Sequence, residues 1–347
     1  MTAPASPAAG APSPLVLLEM IGGAWMSQSI FVAVKLGIPD LLAGGPRTSD
    51  DLAASVGAHA GALYRLLRGL ASLGLCTESG ERVFELTPLG GYLRTGVPGS
   101  VRAWALHWGG ALWPAWSTLL HGVRTGESVR PLAGRAKGFD TLALNPEASK
   151  IFNDAMADIV RLIAASLIQE YDFSGIRTLV DVGGGNGVLL AAILRAYPAV
   201  RGVLFDLPHV VEGARAPFEA GVADRLEIAA GSFFESVPEG GDAYCLKSVI
   251  HDWDDERSLT ILRNCRRAVP REGRLLLIER VLPGRMEARA EHRGVAASDL
   301  NMLVAIGGRE RTAADYRTLL DASGFALQRI VPIGAYYSAI EAAPVDR

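Results

Sequence analysis

The feature that most constrains this 347-residue chain is the alternation of short apolar runs with helical stretches after residue 178. Thr178–Val182 reads as a buried strand, Gly202–Asp206, Leu226–Ala229, Asp242–Lys247 and Arg274–Glu279 read as further strands, and Val188–Tyr197 reads as a helix between the first two. Strands apolar on both faces, spaced by helices, bury their surface in a parallel sheet covered on both sides. At 49% hydrophobic and 20% charged, the chain is neither disordered nor fibrous. Its length allows two domains or one large one with an ample core.

The first strand runs into Asp181-Val182-Gly183-Gly184-Gly185-Asn186-Gly187, and a helix opens directly after it. Glycines there let a ligand approach the backbone, and the helix N-terminus favours an anionic group. Dinucleotide binding requires G-x-G-x-x-G. Counting from Gly183 or Gly184, the required positions hold Val188 or Asn186, so a nicotinamide oxidoreductase is disfavoured. The pattern present, G-x-G-x-G after an acid, is the form used to bind S-adenosylmethionine. Asp206 follows 21 residues after Gly185, at the end of the second strand, where a carboxylate can accept both hydroxyls of a ribose. Gly231-Ser232-Phe233-Phe234 follows the third strand, where a base would lie: Phe233 can pack on a ring and Ser232 can offer a hydroxyl.

His251 lies in the loop after the strand ending at Lys247, within Ser248-Val249-Ile250-His251-Asp252-Trp253-Asp254. Ligands bind at that edge of a doubly wound sheet. An imidazole with a pKa near 6.5 can take a proton at neutral pH. Glu279, at the end of the next strand, and Glu310, in Gly307-Gly308-Arg309-Glu310-Arg311-Thr312, are the two carboxylates that could orient it. Spacing alone leaves Glu279 equally readable as an exposed strand end and Glu310 as part of a charged turn. No His/Asp cluster has metal-ligand spacing, so no metal is expected.

Upstream, residues 1–14 read as a disordered tail. Residues 15–43 are apolar with few charges, which points to helices buried on more than one face and to a dimer interface. Residues 47–93 carry two capped helices and a hairpin turning at Ser79-Gly80, a winged helix-turn-helix. Such a fold invites a DNA-binding reading, yet residues 1–100 hold six Lys/Arg against seven Asp/Glu, and the second helix offers only Arg65 and Arg68. Residues 101–170 read as a helical region. Trp104, Trp108, Trp113 and Trp116 there suit helix packing and the wall of an aromatic pocket equally. Cys76, Cys245 and Cys265 form no C-x-x-C pair, and the N-terminus lacks the basic start and apolar core of a signal peptide, so a cytoplasmic protein is expected. No run reaches the roughly 18 uncharged apolar residues of a membrane span.

From about residue 15 to 343 the sequence resembles the class I small-molecule O-methyltransferases of the caffeate and hydroxyindole type, in their bacterial natural-product branch. The likeness rests on the Asp181–Gly187 loop, Phe205-Asp206-Leu207-Pro208, the Ser248–Asp254 segment, and Asp299-Leu300-Asn301-Met302-Leu303 leading into Gly307–Thr312. It implies an α/β fold: a Rossmann-like sheet with an N-terminal, mostly helical winged-helix dimerisation domain. The implied boundaries are 15–100 for dimerisation, 101–170 for a linker and substrate-pocket region, and 171–347 for catalysis. By that resemblance His251 deprotonates the acceptor, flanked by Glu279 and Glu310. Asp181, Gly183, Gly184, Gly185, Asp206, Leu207, Ser232, Phe233 and Lys247 meet S-adenosylmethionine. Trp108, Asn153, Met156, Asp252 and Met302 surround a small aromatic substrate. Ser232 stands where the family often has an acid, which weakens that hydrogen bond. The partners implied are the aromatic substrate and a second copy of the chain, with neither nucleic acid nor membrane. The rival readings are a homologue that binds the cofactor for different chemistry and a winged-helix regulator.

Overall fold

The computed structural model describes residues 13–129, 145–212 and 221–345, so the expected tail lies outside the described residues up to residue 12. The chain divides into two compact units, Met1–Ala111 and Leu112–Arg347. That division falls within the 101–170 segment, giving Trp104 and Trp108 to the first unit and Trp113 and Trp116 to the second.

In the first unit, the Thr48 hydroxyl accepts from Asp51 N and starts helix Ser49–Val56, which Gly57 ends in the left-handed conformation. Helix Ala60–Ser72 buries Leu63, Leu67 and Leu70. Strand β1 (Arg47–Thr48) pairs with β3 (Val83–Leu86), which pairs with β2 (Cys76–Gly80), all antiparallel. Leu52, Leu67 and Phe84 are fully buried at the centre of this winged helix. The hairpin turn is not at Ser79-Gly80. Gly80 stays in the strand opposite Val83, an irregularity between Glu78 and Gly80 shifts the register, and the chain reverses at Glu81-Arg82 with Arg82 at φ 58°. Helices Pro14–Gly22 and Ala24–Lys35 precede this fold. Leu15, Leu17, Leu18, Met20 and Ile21 are each more than half exposed. Pro14–Lys35 is long and apolar enough, by length and composition only, to pass for a membrane span, with a mean hydropathy of 1.5, yet Glu19 and Lys35 leave no run of 18 uncharged residues in it.

The second unit carries a seven-stranded sheet. Strands β4 (Thr178–Val182), β5 (Arg201–Asp206), β6 (Leu226–Ala230), β7 (Ala243–Lys247) and β8 (Arg274–Glu279) are parallel, in the order β8-β7-β4-β5-β6. Two strands that periodicity did not single out complete it. β12 (Tyr337–Pro344) lies antiparallel against β8, and β11 (Phe325–Ile333) lies antiparallel against β12. Between β8 and β11 in sequence, β9 (Val281–Leu282) and β10 (Arg311–Thr312) form a short parallel ladder in which Arg311 faces Val281.

Strand pleating divides the core into two layers. Leu179, Cys245, Leu276 and Ile278 face helices Pro146–Glu170 and Val188–Ala196. Val180, Tyr244, Leu246, Leu275 and Leu277 face helices Asp255–Ala268 and Ala313–Ser323. Strand order reverses between β4 and β7, so the loops after these two strands open side by side at the carboxyl edge, the usual ligand site of such sheets.

Leu190 is fully buried between helix and sheet, within 3.0 Å of where a Cβ on Gly202 would sit. Leu190→Ala is expected to cost about 2–5 kcal/mol, read by denaturant unfolding, since the tightly packed strand behind it cannot close the cavity.

Candidate active site

Each element that ends at the carboxyl edge delivers one part of the site. After β4, the chain turns at Gly183–Gly185. A Cβ on Gly184 would lie 2.5 Å from Leu204 Cδ1 and 2.7 Å from Asp181 Oδ2, so only glycine fits there, whereas Gly185 faces open space. After β5, the Asp206 carboxylate accepts from Gly185 N (2.8 Å) and Leu207 N (2.7 Å), fastening the glycine loop to the strand end. Each carboxylate oxygen keeps a further acceptor site. After β6, Phe233 packs on Phe234 and Trp253, and its ring is 3.4 Å from a Cβ position on Gly183. Ser232 Oγ accepts from Phe234 N at 3.3 Å, a local turn contact. After β7, Lys247 Nζ lies 5.5 Å from the centre of the Tyr337 ring.

His251 sits in a single 3₁₀ turn, Ile250–Asp252, and is buried. Its Nδ1 is 3.0 Å from Glu310 Oε1 and 3.7 Å from Glu279 Oε2, and its Nε2 is 3.3 Å from Asp252 Oδ1. Thus carboxylates 28 and 59 residues further along the chain meet one imidazole nitrogen. Glu279 arrives as the last residue of β8. Its Oε1 accepts from Val249 N (3.0 Å) and Ile250 N (2.8 Å), tying that strand to the histidine loop. Glu310 arrives through the β9–β10 ladder, one residue before Arg311.

Three contacts hold Glu310 that spacing did not reveal. Ser298 Oγ donates to its Oε1 at 2.6 Å, its backbone N–H donates to Asp299 Oδ1 at 2.9 Å, and Arg280 Nη1 lies 3.7 Å from Oε1. The donor atoms of His251, Glu279 and Glu310 lie within 4.8 Å of one another, close enough to share a cation. Their separation in sequence hid this grouping. At 3.0 Å, however, Nδ1 and Oε1 share a hydrogen bond.

The substrate residues named from sequence are distributed more widely. Asn153 and Met156 lie on helix Pro146–Glu170, exposed and half-buried. Met302 is half-buried on helix Ala290–Ala305, beside Asn301, whose buried Oδ1 has no partner. Trp108 belongs to the N-terminal unit, where its ring lies 5.9 Å from that of Trp104.

The electrostatics follow from burial. Desolvation alone would push the imidazole pKa down, but the charges of Glu279 and Asp252 and the hydrogen bond to Glu310 raise it to about 10. Asp252 is pushed up to about 7 by burial, against the attraction of His251. Burial raises Glu279 too, while Glu310 is drawn below its usual range because the hydrogen bond and charge of His251 outweigh desolvation. At the glycine loop, burial and the neighbouring Asp206 raise Asp181 to about 7, and its buried Oδ2 has no hydrogen-bond partner. Burial of these two coupled acids outweighs the attraction of Lys247 for Asp181, so a further positive charge and hydroxyl donors would be favourable there. A ribose-bearing cation supplies both, so the residues fit such a ligand.

A doubly wound sheet with a glycine loop and a carboxylate-bound histidine at its switch point defines a class of ligand-binding α/β enzymes, and comparison with known proteins narrows it. Residues 116–326 match the family model for the O-methyltransferase domain, and residues 18–96 match that for the O-methyltransferase dimerisation domain. The chain belongs to this O-methyltransferase family and is an S-adenosylmethionine-dependent enzyme of that class. It is 46% identical to the phenazine O-methyltransferase PhzM of Lysobacter antibioticus, over 97% of this chain and 98% of that protein. It is 43% identical to the O-demethylpuromycin-O-methyltransferase of Streptomyces alboniger, over 95% and 89%. Human N-acetylserotonin methyltransferase, solved in complex with S-adenosylmethionine, superposes with a TM-score of 0.88 at 28% identity, covering 98% of this chain and 100% of that one.

The raised pKa of Asp181 carries a stability consequence. The folded state prefers the protonated acid, so this contribution is complete below pH 3.8 and is lost as pH rises through about 7. In the protein without cofactor, Asp181→Asn is therefore expected to raise Tm above pH 7, with the gain fading toward pH 4, measured by differential scanning calorimetry across pH.

Proposed function

We propose that this enzyme methylates a phenolic hydroxyl of a small aromatic natural product, with His251 as the general base. The observation that carries this reading is the 3.0 Å contact between His251 Nδ1 and buried Glu310, which leaves Nε2 as the nitrogen to receive a proton. The names of the relatives support a natural-product acceptor, and phenazine is a flat aromatic ring system.

S-adenosylmethionine supplies a methyl group already activated on a sulfonium. What remains for the chain is alignment and a nucleophile. Asp206 would accept the ribose hydroxyls, with the backbone of Gly183, Gly184 and Gly185 and Leu207 alongside. Phe233 and Ser232 would border the adenine, and Asp181 and Lys247 would complete the charge pattern. Met156, Met302 and Asn153 would border the acceptor, and Asp252 would lie near it.

His251, once neutral, takes the phenolic proton on Nε2. Glu310 and Glu279 stabilise the imidazolium that forms. Without the cofactor the carboxylates raise the imidazole to about 10, which holds it protonated at neutral pH. The imidazole loses part of this rise when a cation binds nearby, which returns it toward the neutral form that can act as base.

The N-terminal unit serves in this reading as a homodimer scaffold. The match to a dimerisation domain and the exposed apolar side chains of helix Pro14–Gly22 support it, and a pairing face also accounts for an apolar helix exposed in one chain. Leu17→Asp with Met20→Asp is expected to shift the solution mass toward the monomer in analytical ultracentrifugation, and an unchanged dimer mass would place the interface elsewhere.

For the base, His251→Ala and His251→Gln are each expected to lower kcat by about 10²–10⁴ while S-adenosylmethionine binding, read by calorimetry, stays near wild type. Turnover close to wild type in either variant would overturn the assignment. In the same assay excess chelator is expected to leave the wild-type rate unchanged, and a loss restored by a divalent ion would assign the carboxylate cluster to a metal instead.

A further inference from the structure

Arg311 is the largest fully buried side chain in the described part of the protein, and neither sequence spacing nor the proposed reaction gives it a role. Every contact of its guanidinium lies around the histidine loop. Nη1 donates to Ile250 O at 2.8 Å, and Nη2 donates to Trp253 O at 2.7 Å, to Ser258 Oγ at 3.2 Å and to Asp255 Oδ1 at 2.8 Å. Nε also donates to Asp255 Oδ1, at 3.1 Å. The two carbonyls flank His251, one before it and one two residues after. The carbonyl of His251 itself accepts from Arg309 N at 2.8 Å. This close approach requires glycine at 308, because a Cβ there would lie 2.1 Å from His251 O. Residues 308–311 therefore grip the backbone of the 3₁₀ turn at three carbonyls, while Glu310, between two of the gripping residues, binds the imidazole.

A buried guanidinium is costly to desolvate, and a single ion pair to a half-exposed Asp255 is weak compensation. The planar fork is matched instead to carbonyls at fixed spacing, a geometry that the point charge of lysine cannot reproduce. We infer that Arg311 is a positioning residue for the methyl transfer: it locks the Ile250–Trp253 turn in register with its own neighbour Glu310, so that the imidazole and its carboxylate move as one unit. This rests on His251 being the base. Loss of the lock separates the imidazole from Glu310 and lowers its pKa by that carboxylate's share, while Glu279 and Asp252 still raise it from beside the ring.

The test compares wild type with Arg311→Lys, Asp255→Asn and His251→Ala, recording kcat and KM for a phenolic acceptor across pH, S-adenosylmethionine affinity and Tm. Arg311→Lys is expected to lower kcat by about 10- to 100-fold, as misplacement of a reacting group does, with cofactor affinity within about twofold of wild type. The limb of the rate profile that rises with pH should move to lower pH, because the base now deprotonates more easily. Asp255→Asn, at a surface position that leaves the core intact, should shift the limb in the same direction by a smaller amount, and it decides the matter if Arg311→Lys does not fold. A folded Arg311→Lys with an unmoved limb and wild-type kcat would overturn the inference. So would an unmoved limb in Asp255→Asn when the lysine variant is unfolded. If kcat, Tm and cofactor affinity fall together with the limb unmoved, the role is structural only and the inference also fails. An active His251→Ala would instead overturn the base assignment on which it rests.

Discussion

The C-terminal unit is organised around one electrostatic constraint: a buried imidazole surrounded by three carboxylates. Three acids and a histidine can be withdrawn from water together only if their charges and protons answer one another. Glu279 Oε1 accepts two backbone N–H groups, Glu310 Oε1 accepts from Ser298 and meets His251, and the imidazole balances both. The remaining atoms, Glu279 Oε2 and Glu310 Oε2, have no hydrogen-bond partner, so desolvation, charge and the hydrogen bonds to the other oxygens together set the protonation of the group. An uncompensated cluster of this kind would destabilise an ordinary core. At the edge where ligands bind, it produces a histidine whose proton affinity is raised above the ordinary imidazole value by the neighbouring carboxylates.

That arrangement depends on topology. The reversal of strand order between β4 and β7 sets the glycine loop and the histidine loop side by side, one facing Asp181 and Asp206 and the other facing Glu279 and Glu310. Asp181 and Asp206 repel each other in the same way that the carboxylates near His251 do, without an imidazole between them. The two halves thus differ: in one, burial of two acids is only partly offset by Lys247, and in the other an imidazole sits among the acids. A positive charge bound at the first would lower the proton affinity of the second.

How much of this could be read in the sequence varies with the range of the interaction. Four of the five parallel strands were legible because they are buried on both faces and therefore mostly apolar, whereas β6, at the sheet edge, is only partly buried and exposes Glu227. β11 and β12 were not: Arg329, Glu341 and Ser338 interrupt them, since the outer strand pair is only partly covered. The glycine loop was legible because its constraint is local, a Cβ at Gly184 having no room. The hairpin turn was misplaced by two residues, because strand pairing carries Gly80 and leaves Arg82 in the left-handed region that local turn propensity assigns to glycine. Spacing could name Glu279 and Glu310 as candidate partners of His251, but not Ser298, Asp299 or Arg280, whose contacts exist only once helix Ala290–Ala305 and β8 have docked.

Arg311 shows the same limit. In sequence it reads as one charge in Arg309-Glu310-Arg311, a pattern typical of a solvated turn. In the fold the middle acid and the second arginine are buried and only Arg309 is exposed. The two-residue ladder of β10 with β9 causes this inversion: pairing Arg311 with Val281 anchors the strip two residues beyond Glu279, so it must enter the core. Alternation along that strip then sends Glu310 to the imidazole and Arg311 to the backbone beneath it. A pair of adjacent residues with opposite charges can thus address one catalytic loop from two sides, provided the strand holding them is too short to twist away and its preceding glycine leaves room for the approach.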